Sequence, residues 1–112
     1  MTIKDLTACD FLEAVNIGDG SRPINKIYCC DLLSIAMSRA PENSAWVTVM
    51  ANMNTLAVAS LTDVSCVILA EGVTLDEHCI SKARAQEISV FKTELPVFDT
   101  GLKIHRLLAG EA

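Results

Sequence analysis

Apolar and polar residues alternate along this chain in blocks, and the spacing within the blocks switches between that of strands and that of helices. Short runs of mainly apolar residues predict strands at 11–17, 24–30, 45–51, 64–70 and 89–92. Apolar residues three and four apart, or helix-capping residues, predict helices at 3–9, 32–40 and 53–64, a fourth opening at Thr74, and a last one at 97–108. Residues 18–23 have the composition of a surface turn.

The predicted helix starts depend on particular capping residues. Thr2 and Asp5 resemble a capping box, and Thr74 with Glu77 forms a standard one. Asp31 is placed to cap the helix at 32–40, and Pro96 suits the first turn of the last helix because its missing N–H has no helical partner there.

The central stretch, from Trp46 to Leu69, is predicted as strand, helix and strand. A stripe of residues spaced three and four apart favours the helix: Met53, Leu56, Ala57, Ser60, Leu61 and Val64. A strand over 56–61 also fits, since Leu-Ala-Val-Ala alternates. The helix is preferred because two parallel strands need a crossover between them.

From residue 24 onward, strands and helices alternate strictly. This order predicts one α/β domain over residues 1–112, with a mainly parallel sheet of about five strands and helices packed on its faces.

Composition narrows the function classes. The chain is 51% hydrophobic but only 4% aromatic, which predicts an aliphatic core, and its formal charge of −5 disfavours nucleic acid and anionic membrane surfaces as partners. No apolar run approaches the ~18 residues of a membrane span, and the N-terminus lacks a signal-peptide pattern. Five cysteines without regular spacing indicate a reducing compartment, so we expect a cytoplasmic protein.

The candidate binding residues follow the predicted strands. Parallel strands end at one edge of their sheet, where open α/β sheets bind ligands. The loops there contribute Asp31, Asn52, Asn54, Glu71 and Thr93. Helix N-termini nearby favour an anionic ligand such as a small phosphorylated or carboxylated metabolite or an adenine nucleotide. Alternatively, Asp31, Asn52 and Thr93 cap their own helices, which leaves Asn54 as the best candidate for a ligand contact.

Cysteine and histidine chemistry offers less. Cys29 and Cys30 are adjacent in a predicted strand and therefore point to opposite faces. No Cys-x-x-Cys or His-x-x-x-His spacing occurs, so we expect neither a metal site nor a cofactor. A Cys–His nucleophile would require His105 to meet a cysteine in space.

Several segments together resemble small DRTGG-domain proteins. The matching segments are Ile27–Ser34 with Met37–Ala40, Trp46–Val49, Asn54–Ala59, Val64–Gly72, Lys82–Ala83, Ile88–Phe91 and Asp99–Thr100. The resemblance covers roughly residues 24–108, and it depends on the order of the segments more than on any one of them. The Asp-Arg-Thr-Gly-Gly string itself is absent.

The resemblance implies an α/β domain like the N-terminal domain of HPr kinase/phosphorylase, similar to domains within bacterial phosphotransacetylases and CBS-containing pyrophosphatases. Such domains are regulatory or dimerising, and stand-alone members occur beside redox enzymes such as iron-only hydrogenases. A kinase is not expected, because the sequence contains no Gly-x-x-x-x-Gly-Lys-Ser/Thr loop.

We therefore expect a non-catalytic regulatory or interaction domain that senses a small anionic metabolite or adenine nucleotide. A homodimer is expected through the apolar surplus of the helices at 32–40 and 97–108. The alternatives are a small enzyme acting on a phosphorylated or carboxylated substrate, with Asp31 or Glu71 as base, and an accessory subunit of a larger redox enzyme.

Overall fold

The computed structural model describes residues 1–111, and in that range five strands form a central sheet with helices on both faces. The strands are β1 (Glu13–Asn16), β2 (Lys26–Cys29), β3 (Ser44–Thr48), β4 (Cys66–Leu69) and β5 (Val90–Lys92). The helices are α1 (Ile3–Thr7), α2 (Leu33–Arg39), α3 (Met53–Thr62), α4 (Glu77–Ala85) and α5 (Val97–Leu108).

The sheet has the order β1-β5-β4-β3-β2. The four strands β2 to β5 are parallel, and β1 pairs antiparallel with β5. The predicted α/β class, with a mainly parallel five-stranded sheet, is confirmed. The helix predicted after β3 is also confirmed, against the strand alternative.

Alternation along the strands divides the core into two halves. One half packs α2, α3 and α4 against one sheet face, through residues that include Ala36, Trp46, Leu56, Ala59, Val67, Leu69, Cys79, Ala83 and Val90. The other half packs α1 and α5 against the opposite face, through residues that include Ile3, Leu6, Val47, Ile68, Phe91 and Ile104. Helices cover both faces of β3 and β4, which explains why these strands read as continuous apolar runs.

Two helix starts test the capping predictions. At α1, the carboxylate of Asp5 accepts a hydrogen bond from the N–H of Thr2 at 2.8 Å, as the predicted box requires. At α4 the prediction is wrong, because the helix begins at Glu77 and its N-cap is Asp76, which accepts from the Cys79 N–H at 2.8 Å. The Asp76 carboxylate lies next to the first turn and occupies the position that the Thr74 hydroxyl was predicted to take.

The predicted buried stripes of α3 and α5 are wrong in part. Leu61 is 74% exposed and Phe98 is 71% exposed, whereas Thr55, Thr100 and Gly101 are buried. The threonine hydroxyls remain satisfied inside the core: that of Thr100, for example, donates to the Pro96 carbonyl at 2.8 Å. The helix positions that pack closely on the sheet are therefore occupied by small residues, whereas hydrophobic periodicity predicts large apolar residues there.

The predicted turn at 18–23 is confirmed and joins the loops at the amino edge of the sheet. The Arg22 guanidinium donates to the Asn43 side-chain oxygen at 3.1 and 3.2 Å and pairs with the Asp63 carboxylate at 3.0 Å. None of the helices in the described range is both long and apolar enough to cross a membrane.

Candidate functional site

The five residues predicted as a site all lie near the carboxyl edge of the parallel strands. β2, β3, β4 and β5 end at Cys29, Thr48, Leu69 and Lys92. The loops that follow carry the predicted residues in the order Asp31, Asn52 with Asn54, Glu71 and Thr93. The structure confirms their common edge, but each makes different contacts there.

Asp31 does not cap α2. That helix has Leu32 at its N-cap position and no side-chain cap. The Asp31 carboxylate instead accepts hydrogen bonds from the Thr48 hydroxyl at 2.7 Å and the Val49 N–H at 3.0 Å, at the end of β3. These donors on the neighbouring strand hold the carboxylate away from the helix, so the capping prediction is wrong and Asp31 joins two strand ends.

Asn52 and Asn54 have separate roles at the start of α3. The side-chain oxygen of Asn52 accepts from the N–H of Thr55 at 3.0 Å and from its hydroxyl at 3.3 Å, which confirms Asn52 as the cap. Asn54 is exposed in the first turn and its side chain makes no hydrogen bond with the residues that the structure describes. Its amide is therefore available to a ligand next to the free N–H groups of the helix start.

Glu71 and Thr93 belong to two loops that bind each other. The N–H of Glu71 donates to the Leu95 carbonyl and the N–H of Gly72 donates to the Thr93 carbonyl, both at 2.9 Å. Glu71 is exposed and has a φ of 60°, in the left-handed region. Thr93 is buried, and its hydroxyl accepts from the Leu95 N–H at 3.3 Å. Thr93 does not cap α5, whose N-cap position is Pro96.

A cavity of about 320 Å³ lies at the β1–β5 end of this edge. It is lined by the segment 10–13, by Gly72 and Thr74 from the turn after β4, and by residues 92–94. Of the predicted site residues, only Thr93 lines it. Periodicity predicts the strand at 11–17 but not its position or direction in the sheet, so the segment 10–13 is not among the predicted site residues; antiparallel pairing with β5 brings the start of β1 to the carboxyl edge.

Glycine suits the backbone conformation at position 72, in the wall of this cavity. Its φ is +73°, and a Cβ atom at this position would collide with the side-chain carboxylate of Glu94. Any other residue would be strained and would also displace Glu94.

The charges of the carboxyl edge are mainly negative. Asp10, Glu13 and Glu94 line the cavity, and the ammonium group of Lys92 pairs with Glu13 at 3.1 Å. Across residues 1–111, no group of three or more His, Cys, Asp or Glu side chains is arranged to hold a metal ion. Carboxylates accept hydrogen bonds from hydroxyl and amino groups. An anionic ligand for this edge would therefore also need to carry hydroxyl or amino donors.

A second concave surface, away from this edge, brings His105 and Cys29 together. Both line an apolar cavity of about 280 Å³ between β2 and α5, with Phe98 and Leu102. Burial, and then the charge of Asp31, raise the pKa of the Cys29 thiol above its usual 9.0. Activated cysteines require a lowered pKa, so this pair lacks the character of a catalytic nucleophile.

Comparisons with known proteins place the fold. No protein-family model matches the sequence, and no curated protein matches it either. Among solved structures, the chain is similar to the CBS and DRTGG domains of the regulatory region of Clostridium perfringens pyrophosphatase, complexed with the activator diadenosine tetraphosphate. The TM-score is 0.68 and the sequence identity is 21%; the match covers 95% of this chain and 44% of that one.

This chain thus spans less than half the length of the solved regulatory region that it matches. At this level of identity the likeness concerns the fold, and it is the α/β fold that the order of the segments predicts. The chain has a DRTGG-like α/β fold.

Proposed function

We propose that this chain is a non-catalytic regulatory domain that binds a small anionic metabolite, in the first place an adenine nucleotide, at the carboxyl edge of its sheet. The observation that carries the proposal is the similarity, with a TM-score of 0.68, to a regulatory region whose structure was determined with a dinucleotide activator. The general preference of open parallel sheets for binding ligands at this edge supports the location.

The edge offers complementary groups for the two parts of a nucleotide. The first turn of α3 provides free N–H groups and the positive end of a helix dipole for a phosphate, with the exposed Asn54 amide beside them. The exposed carboxylate of Glu71, in the next loop, accepts hydrogen bonds from ribose hydroxyls or the adenine amino group. The phosphate would thus lie at the start of α3, and the ribose or adenine would lie at the carboxylate of Glu71. This arrangement allows an anionic ligand to bind at an edge with many carboxylates.

Isothermal titration calorimetry with AMP, ADP, ATP and diadenosine tetraphosphate tests the proposal, with adenosine and inorganic phosphate as fragments. We expect binding of at least one nucleotide and an affinity loss of about tenfold in Asn54→Ala, from one lost ligand hydrogen bond. Ser60→Ala, an exposed change in the same helix, is the matched control. Absence of binding to every nucleotide, or equal affinity in Asn54→Ala, would contradict the proposal.

We also propose that the domain is a homodimer in which α2 forms the contact. Three large apolar side chains at this helix are exposed: Leu32 by 54%, Ile35 by 44% and Met37 by 53%. Leu32 and Ile35, three residues apart, lie on one side of the helix, whereas Met37 lies on another, so an isologous contact would bury Leu32 and Ile35 of both subunits. In sedimentation velocity, Ile35→Asp should shift the protein to a monomer, while Leu61→Asp, which alters a 74% exposed residue on α3, should not. A wild-type protein that stays monomeric at all concentrations would refute the dimer.

The accessory-subunit alternative is supported by the same exposed apolar side chains of α2. It would be favoured if substitutions in α2 left the self-association of the protein unchanged. The enzyme alternative is weaker. Asp31, one of its two suggested bases, accepts two hydrogen bonds from the end of β3 and is occupied there. The exposed side chain of Glu71 has no hydrogen bond or ion pair with residues 1–111 and is available either as a ligand contact or as a base.

A further inference from the structure

The edge strand β2 has an open side. It is the last strand in the sheet order, and among residues 1–111 no strand lies beyond it. The N–H of Cys30 donates to the Val47 carbonyl at 3.2 Å, and alternate residues of a parallel strand bond to the same neighbour. The main-chain groups of Ile27 and Cys29 therefore point to the open side, where a further strand can pair with them.

A groove runs beside this open strand, between β2 and α5. It consists of the 280 Å³ cavity at Cys29 and a second cavity of about 430 Å³ at Lys26, and the two share Ile27 and His105. Phe98, which is 71% exposed, stands at the wall of the first cavity, and Leu108 lines the second. The side chains of alternate residues in an added strand would point into such a groove.

Gly101 determines how closely α5 approaches the strand. It is buried, and a Cβ atom there would lie 3.0 Å from the Cys29 sulfur and 3.5 Å from a methyl carbon of Ile27. The absence of that atom lets the helix backbone form the floor of the groove. The groove is thus built by close packing of two rigid elements.

The charge of the groove differs from that of the whole chain. The protein has 14 Asp and Glu residues and a formal charge of −5, yet none of the described residues lining either cavity is acidic. Lys26 and His105 line the part of the groove beside the start of β2, whereas Asp31 follows the end of β2. An acidic group is therefore favoured beside Lys26 and His105 and disfavoured at the other end.

We propose that β2 and this groove bind an extended segment of a partner protein, which adds to the sheet as a sixth strand, inserts alternate apolar side chains into the groove and places an acidic residue beside Lys26. Main-chain hydrogen bonds to Ile27 and Cys29 provide affinity, and the groove and its charge provide specificity. This surface is separate from the loops of the nucleotide proposal and does not depend on them.

Selection of random peptides displayed on phage, with the full chain as the target, tests this surface. Enriched peptides are expected to alternate apolar residues and to carry Asp or Glu near one end. Synthesised and measured by fluorescence polarisation, they should lose about tenfold or more in affinity when Phe98→Asp is introduced. Leu61→Asp is the control, since that side chain is 74% exposed on another helix. N-methylation of alternate peptide amides should abolish binding, because it removes the main-chain donors.

A charge exchange and a strand-edge variant complete the test. Lys26→Glu should weaken the acidic peptides, and a peptide with lysine in place of its acidic residue should restore binding to that variant. Ile27→Pro removes a main-chain N–H that points to the open side and should weaken binding of the peptides. Circular dichroism and urea unfolding establish that each variant is folded. The proposal is overturned if no such peptides are enriched, if they bind Phe98→Asp as tightly as wild type, or if Ile27→Pro dissociates a dimer, which would assign the edge to a second copy.

Discussion

At the scale of single residues, Asp31 shows how a predicted ligand residue can be part of the framework. Its carboxylate holds the buried hydroxyl of Thr48 and the N–H of Val49. Asp31→Ala should lower the free energy of unfolding by about 1–2 kcal/mol, because two donors lose their acceptor. Asp31→Asn keeps an acceptor oxygen and should lose less. Urea unfolding measures both, and an unchanged free energy of unfolding in Asp31→Ala would show that the contact to β3 contributes nothing to stability.

The five cysteines differ in their consequences for stability, and Cys66 has the largest. Burial raises the pKa of its thiol from 9.0 to about 12, against a small opposing effect of Arg22. Below pH 9 the thiol is protonated in both the folded and the unfolded chain. Between pH 9 and 12 only the unfolded chain loses the proton, so the free energy of unfolding falls by about 1.4 kcal/mol per pH unit.

Cys66→Ala should remove this contribution and flatten the decline of stability above pH 9. Urea midpoints at a series of alkaline pH values measure the slope. Val47→Ala is the control, since it truncates a buried side chain without removing a thiol and should keep the wild-type slope. Identical slopes in wild type and Cys66→Ala would show that another group governs the alkaline limit.

At the scale of the elements, the start of α3 separates a cap from a free side chain. Asn52→Ala should lower the free energy of unfolding by about 1 kcal/mol, because the N–H of Thr55 loses its partner. Asn54→Ala, two residues away, should change it by less than about 0.5 kcal/mol. Thermal and urea unfolding test this pair. If both variants lose the same free energy, Asn54 has a structural contact and is a poorer ligand candidate.

The elements also show what the sequence can and cannot predict. The strands follow from periodicity, because β3 and β4 are covered on both faces. The existence of every helix follows from periodicity or from capping residues, since the helices are separated by clear breakers. The buried faces of α3 and α5 do not follow from it. Thr55 in α3 and Thr100 in α5 are buried with their hydroxyls hydrogen-bonded, and Gly101 in α5 is buried because it is small. The start of α4 is missed because Thr74 and Asp76 are both capping residue types two positions apart, and the structure uses Asp76, whose carboxylate accepts from the Cys79 N–H.

At the scale of the whole molecule, the common edge of the site residues was predictable and their separate contacts were not. The alternation of strands and helices places Asp31, Asn54 and Glu71 at one edge of the sheet. Whether a carboxylate there faces solvent or the next strand depends on the register between β2 and β3, which the sequence alone does not specify. The cavity beside β1 was missed for a similar reason, since only strand order brings Asp10 to that edge.

The opposite edge has a repeated backbone feature. The three connections that return from a helix to β3, β4 and β5 each contain a residue other than glycine in the left-handed region: Asn43 with φ 62°, Asp63 with φ 60° and Glu87 with φ 56°. A left-handed conformation costs such residues roughly 1 kcal/mol relative to glycine. Asn43 and Asp63 offset the cost by binding Arg22. Glu87 is exposed, and its side chain makes no hydrogen bond or ion pair with the described residues.

Glycine at these positions should therefore have opposite effects. Glu87→Gly should raise the free energy of unfolding by about 0.5 kcal/mol, since relief of the left-handed conformation exceeds the added entropy of the unfolded chain. Asn43→Gly gains the same relief but removes the oxygen that accepts two hydrogen bonds from Arg22, so it should lower stability by about 1 kcal/mol. Urea unfolding of the two variants decides the matter. A rise in both would mean that the Arg22 contacts to Asn43 contribute little to stability, and a fall in Glu87→Gly would mean that relief of the left-handed conformation is smaller than the added entropy of the unfolded chain.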